Sequence, residues 1–161
     1  MKLETQAPRT SYHFECYDKD GNLKWEERCN NTVTTLGKND LIDQYFDGTA
    51  KTWFVGLKDT GSVLVGDTMA SHGGWVTISP YSNATDPALV LAAAAAGTAD
   101  NSASKAVFTI NATDDVYGAF IKDSSTVDIA TGLLYGGGDF AAQRSVASGD
   151  TLNVTVTITM T

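Results

Sequence analysis

The chain has 161 residues, 42% of them hydrophobic and 19% charged, with 11 Lys and Arg against 19 Asp and Glu for a formal net charge of -8. That length fits one domain with a core large enough to need no metal or disulfide staple. The acidic balance excludes nucleic acid as the expected partner, because phosphate recognition needs a dense basic patch. Both parts of the chain are acidic (8 basic and 12 acidic residues before position 99, 3 and 7 after it).

The longest apolar run, Ala88 to Ala96, is too short to span a bilayer, so no membrane partner is expected. The opening segment Met1 to Thr10 lacks an apolar stretch of the secretory kind, so Cys16 and Cys29 are expected to remain thiols in a reducing compartment. The skew in composition is more telling than the averages. Thr occurs 21 times, Gly 15 and Asp 15, against 4 Glu. Thr favours strands, whereas Gly and Asp favour turns, so the composition predicts a β-rich chain.

Residues 1–11 carry no pattern and are read as an N-terminal arm, leaving 12–161 as a single β-sandwich domain. Two alternating runs, Tyr12 to Tyr17 and Leu23 to Glu26, flank Asp20-Gly21, which predicts a hairpin with a two-residue turn. In that register Cys16 faces Trp25 and Tyr12 faces Cys29, with Phe14, Cys16, Leu23 and Trp25 on one face. The two cysteines then stand too far apart for a disulfide.

Thr34 or Thr35 can N-cap a short helix over 36–46, with Leu36, Leu41, Ile42, Tyr45 and Phe46 along one stripe and Gly48 as its stop. Lys51 to Leu57 scarcely alternates and predicts a strand covered on both sides. Trp75 to Ile78 is a short strand ended by Pro80. Alanine propensity would make a helix of Ala88–Ala96, but Pro87 and Gly97 bracket it too closely, so an extended edge or loop is expected. Val107 to Asn111 and Val116 to Ile121 flank Thr113-Asp114-Asp115 and read as a second hairpin; Gly136-Gly137-Gly138 reads as a flexible loop. The closing strand has Leu152, Val154, Val156, Ile158 and Met160 on one face and Asn153, Thr155, Thr157 and Thr159 on the other. Together these predict an all-β fold, an antiparallel jelly-roll-like sandwich of seven to nine strands with one short helix.

No catalytic constellation emerges. His13 and His72 are the only histidines, and no H-E-x-x-H, C-x-x-C or G-x-S-x-G motif accompanies them. Asp18-x-Asp20-x-Asn22 imitates the start of a calcium loop, but its glycine falls at the fourth position and no Glu stands at the twelfth. Trp25, Trp53 and Trp75 could stack sugars, yet each lies in an apolar strand run and is expected in the core. No catalytic, cofactor-binding or metal residues are therefore assigned.

Several stretches carry a family likeness: Phe14 to Trp25 (FECYDKDGNLKW), Asn31 to Gly37 (NTVTTLG), Trp53 to Leu57 (WFVGL), Gly66 to His72 (GDTMASH), Asn101 to Phe108 (NSASKAVF) and Gly149 to Val154 (GDTLNV). In this order, from about residue 12 to the end, the series resembles small virion structural proteins of tailed bacteriophages. The resemblance implies a non-enzymatic capsid cement or decoration protein that binds across major capsid subunits on the capsid exterior. A symmetric dimer or trimer would suit that role, with the arm and the loops at 58–74, 82–104 and 122–150 as contact elements. A neck or tail component, or a carbohydrate-binding host-attachment module, are the alternatives.

Overall fold

The Thr- and Gly-rich chain forms nine antiparallel strands and one helix in the computed structural model, which describes residues 8–48 and 50–160. In chain order these are β1 (Pro8–Tyr17), β2 (Leu23–Val33), α1 (Thr35–Asp47), β3 (Phe54–Lys58), β4 (Thr77–Ile78), β5 (Thr98–Asp100), β6 (Ala106–Thr109), β7 (Asp114–Lys122), β8 (Leu134–Val146) and β9 (Thr151–Met160). Hydrogen-bonded neighbours run in the order β4-β3-β7-β8-β2-β1-β9-β5, with β6 also on β9. The path bends at β2, which pairs with β1 over most of its length and with β8 only through Asn31, Thr32 and Val33. The result is a sandwich-like fold with an apolar interior shared by the two halves.

Strict alternation makes β1 the central strand of the first half. Thr10, Tyr12, Phe14 and Cys16 point inward and are buried. Phe14 lies opposite Val154 and Cys16 opposite Leu152 on β9, and β6 adds Ala106 and Phe108 on the far side of β9. The other half supplies Phe140, which meets the Phe14 ring edge-on at 4.5 Å. Each such fully buried side chain contributes about 1.5–3 kcal/mol.

The first hairpin keeps the expected register, with Cys16 opposite Trp25 and Tyr12 opposite Cys29, and both cysteines are free and buried. Its turn is wider than the two residues expected. The Asp18 N–H donates to Asn22 O at 2.9 Å, and the Asp18 carboxylate accepts from the N–H groups of Asp20 (2.9 Å) and Asn22 (2.8 Å). Tyr17 consequently faces Leu23. Leu23 sits at the hairpin tip, beyond the reach of β9, and is 52% exposed instead of sharing the inner face.

The expected arm needs a larger correction. β1 begins at Pro8, and residues 8–11 pair with Met160, Thr159, Ile158 and Thr157 of β9, so they belong to the sandwich. The remaining arm residues, 1–7, lie outside the described residues. A backbone ladder needs no side-chain pattern, which is why these residues gave no signal.

Thr34 caps α1, its Oγ1 accepting from the Gly37 N–H at 3.0 Å, and Gly48 closes the helix in the left-handed conformation (φ 73°). The buried side differs from the expected stripe. Gly37 and Asp40 are buried, and Leu41 is partly buried, while Leu36 and Ile42 are exposed. The side chains of Tyr45 and Phe46 lie outside the described residues. The helix packs through Gly37, where a Cβ would lie 2.3 Å from the Tyr135 carbonyl oxygen. Close backbone contact with β8 holds the start of this helix against the sandwich.

The expected covering of β3 on both sides is observed: Val55 and Leu57 enter the main core, and Lys58 is fully buried as well. Val63, Met69 and Trp75 form a second cluster with Phe120 and Leu134, so the chain between β3 and β4 makes a lid over β7 and β8. The stretch Ala88–Ala96 is extended loop, as expected, touching Phe54 through Ala88 and turning at Ala95–Thr98.

Two sequence expectations fail here. β6 and β7 are not a hairpin: β6 pairs with β9, whereas β7 pairs with β3 and β8, so the Asn111–Thr113 connection crosses between the halves. Both strands alternate as a hairpin would, but alternation identifies strands without choosing their partners. Gly136-Gly137-Gly138 is buried strand within β8, between β2 and β7. A Cβ at Gly136 would lie 2.4 Å from Thr32 O, one at Gly137 2.7 Å from Val63 Cγ2, and one at Gly138 2.8 Å from Tyr12 Cδ2. The triplet is there for lack of room.

Candidate functional site

Chemistry-bearing side chains in this fold are mostly engaged with one another. Lys58 and Lys122 are both fully buried. Lys58 Nζ lies 2.8 Å from Asp139 Oδ1, off the ideal hydrogen-bond direction, and donates to the carbonyls of Asp59 (3.1 Å) and Gly61 (2.5 Å). The Tyr117 ring centre stands 5.0 Å away. Burial pulls the Lys58 pKa down, against the raising effect of Asp139. This ammonium ties β3 to the lid above it, and to β8.

Lys122 Nζ pairs with Asp86 Oδ2 at 2.8 Å and donates to Thr126 O at 2.5 Å, while Tyr81 donates its hydroxyl to Asp86 Oδ1. Burial raises the pKa of the Asp86 carboxyl and of the Tyr81 hydroxyl. Asp150 accepts from Lys24 Nζ at 2.5 Å and from the Ala147 N–H at 2.8 Å. Asp40 on α1 accepts from Lys51 and Gln44. These contacts fasten loops and helix to strands.

The residues singled out from the sequence are scattered. His13 lies on the outer face of β1, with Nε2 3.4 Å from Glu26 Oε2. His72 stacks on Trp75 with ring centres 4.1 Å apart, at the edge of the lid. Trp75 is buried as expected; Trp25 and Trp53 are only partly buried and pack against the core margin. The Trp25 Nε1–H donates to Ser145 O at 2.9 Å, and Trp53 meets Tyr135 edge-on at 5.8 Å. Asp18, the first residue of the calcium-like motif, spends its carboxylate on the hairpin turn. Among the described residues no group of three His, Cys, Asp or Glu is placed to hold a metal ion, and no helix is long and apolar enough to cross a membrane.

Several large apolar side chains are also exposed. Leu64 (59% exposed), Val65 and Val76 (59%) project from the chain between β3 and β4, and Val90 (53%) and Leu91 from the chain between β4 and β5. The Thr35 N–H donates to Val65 O at 2.9 Å, setting Val65 beside the start of α1, where Leu36 is also exposed. Around Leu91, a half-open recess of about 180 Å³ is lined by Leu41, Gln44, Trp53, Leu89, Tyr135 and Ile158, between α1, the loops and the sandwich. Such side chains sit on well-fastened loops and gain free energy when a partner covers them. The loops at 58–74 and 82–104, expected to make contacts, carry Leu64, Val65, Val90 and Leu91, and Val76 lies just beyond the first of them. The third segment expected to make contacts, 122–150, is strand β8 over Leu134–Val146. Comparison with protein families and with characterised proteins finds no match for this sequence, so the functional reading rests on the residues and the fold.

Proposed function

We propose that this chain is a non-enzymatic structural protein of a phage virion: a cement or decoration protein that binds across major capsid subunits and stabilises the head from its outside. The observation that carries this reading is the set of exposed Leu64, Val65, Val76, Val90 and Leu91 on loops fixed to an antiparallel sandwich. A cement protein acts by binding energy alone, shifting the shell towards its assembled state by mass action. Apolar side chains on a rigid frame suit that task, because little conformational entropy is lost when they dock. The charge of -8 suits a surface kept apart from packaged nucleic acid. A dimer or trimer would repeat the apolar loops around a symmetry axis, as the symmetry of a capsid joint demands.

Purified capsids lacking the protein provide the test. The wild-type chain should bind them at a copy number comparable to that of the capsid subunits and raise their resistance to heat. Leu64→Asp with Val65→Asp should weaken the affinity for these capsids at least tenfold, read as lost occupancy at subsaturating protein, a loss of at least about 1.4 kcal/mol per site. Full occupancy of the double variant would overturn the role given to these loops. A few copies per virion, confined to one vertex, would move the protein to the neck or tail. Retention on a glycan array, unaffected by the double substitution, would favour a host-attachment module.

A further inference from the structure

The Lys122–Asp86 pair is built unlike an ordinary surface ion pair. Both side chains are 1% exposed or less, and they stand 2.8 Å apart, nitrogen to Oδ2. Lys122 is the last residue of β7, and Asp86 belongs to the long connection between β4 and β5, so the contact joins segments distant in sequence. Tyr81 donates its hydroxyl to Oδ1, the oxygen that Lys122 does not contact. On its other side Lys122 Nζ faces Thr126 O at 2.5 Å, and the Phe120 ring centre lies 5.7 Å away. Asp86 is itself fixed, its N–H donating to Ser125 O at 2.8 Å.

From this geometry we infer that Lys122 and Asp86 are joined by an intramolecular isopeptide bond between Nζ and Cγ, formed after folding with loss of one water. Separated charges are costly in such a setting, so passing a proton from the ammonium to the adjacent Oδ2 yields a neutral amine facing a neutral carboxylic acid. Burial favours that acid form, since it already raises the Asp86 pKa. The amine lone pair adds to Cγ, and the negative charge that develops on Oδ1 is held by the Tyr81 O–H. A second proton moves from nitrogen to Oδ2, the Cγ–Oδ2 bond breaks, and water leaves. No oxidant or external group is consumed. Close fixation of amine and carboxyl replaces the activation that amide formation needs in solution.

The product fits the site as well as the reactants do. An amide retains one N–H, which Thr126 O is placed to accept, and one carbonyl oxygen, Oδ1, which Tyr81 already serves. No polar atom is stranded, and the cost of burying two charges disappears. Lys58 with Asp139 makes an instructive contrast. Its nitrogen is held by two carbonyls, of which an amide N–H could keep only one, and the Asp139 side chain is 22% exposed.

Mass spectrometry of the full chain, denatured and reduced, tests the bond directly. The expected mass is the sequence mass less one water in essentially all molecules, with a branched peptide joining the segments that carry Asp86 and Lys122 after digestion. Lys122→Arg and Asp86→Asn should each restore the full mass of the variant sequence, the latter because an amide cannot take the ammonium proton, and Lys58→Arg should keep the deficit. The full sequence mass in the wild-type protein would overturn the inference, whatever the variants do. So would a deficit that persists in Lys122→Arg, or one mapped to a linear peptide around Asp20-Gly21, where an exposed succinimide would form.

Discussion

Replacing Gly136 by Ala tests the junction between the two halves of the sandwich. The added Cβ would lie 2.4 Å from Thr32 O and 2.9 Å from both polar atoms of the Asn31 side chain, where ordinary contact begins at 3.4 Å. Strands are spaced roughly 4.8 Å apart, so relieving the clash means opening β2 from β8 by about 1 Å, enough to break a ladder hydrogen bond. The junction consists of only three residue pairs, Asn31 with Gly138, Thr32 with Gly137 and Val33 with Gly136. Overpacking costs about 1–3 kcal/mol and the broken hydrogen bond about 1 kcal/mol more, giving a loss of about 2–4 kcal/mol. For a chain of this size that lowers Tm by roughly 4–16 °C. Thermal unfolding followed by circular dichroism reads the shift, with Gly66→Ala as the control. Nothing lies within 4 Å of a Cβ at Gly66, so that variant should stay within about 0.5 kcal/mol of wild type. If Gly136→Ala melts together with wild type and Gly66→Ala, the triplet is a tolerant loop and the steric account of β8 is wrong.

Three further outcomes are expected. Thr34→Ala removes the N-cap of α1 and a buried hydroxyl contact to Leu134 O, costing about 1–2 kcal/mol in urea unfolding; Thr34→Ser should recover most of it, and equal losses would refute the capping role. Burial pushes the Cys16 and Cys29 thiols up to about 12, so neither should react with a thiol reagent at mildly alkaline pH until the protein is denatured, when both should. Rapid labelling of the native protein would contradict the buried placement of both side chains. Lys105 hydrogen-bonds Glu15 and holds its carboxyl below the ordinary 4.5. A carboxyl lowered in the folded state stabilises the fold above the unfolded-state value, and that contribution is lost as pH falls from 4.5 through the folded-state value. Lys105→Met should therefore flatten the acid side of the stability profile, and an unchanged profile would show that the pair contributes nothing.

Alternation along one strand was enough to recover β1, β9 and the body of the first hairpin, because a period of two puts every second residue on a buried face. Tyr12, Phe14 and Cys16 face Val156, Val154 and Leu152 for that reason. The helix and its two caps were legible for an equally local reason, since Thr34 and Gly48 act on backbone groups a few residues away. The candidate contact loops were visible as turn-rich segments, but which of their apolar residues stay uncovered was not. Leu64 and Val76 are exposed while Val63 and Trp75, their immediate neighbours, are buried in the lid.

Local pattern stopped where the determining contact came from a distant strand. Tertiary structure alone sent β6 to β9 and β7 to β3 and β8, since two alternating strands can pair with any edge that offers a matching face. It turned Gly136 to Gly138 from an expected flexible loop into close-packed strand, because the missing side chains are explained by Thr32, Val63 and Tyr12 and by nothing near them in sequence. It also brought Lys122 to Asp86 and Lys58 to Asp139, which composition counts only as charges. The sequence by itself determined the β-rich class, the acidic surface and the strand faces, all properties of single residues or short periods. Partner choice, close packing and the pairing of buried charges depend on distances across the fold, and those exist only once the chain has closed.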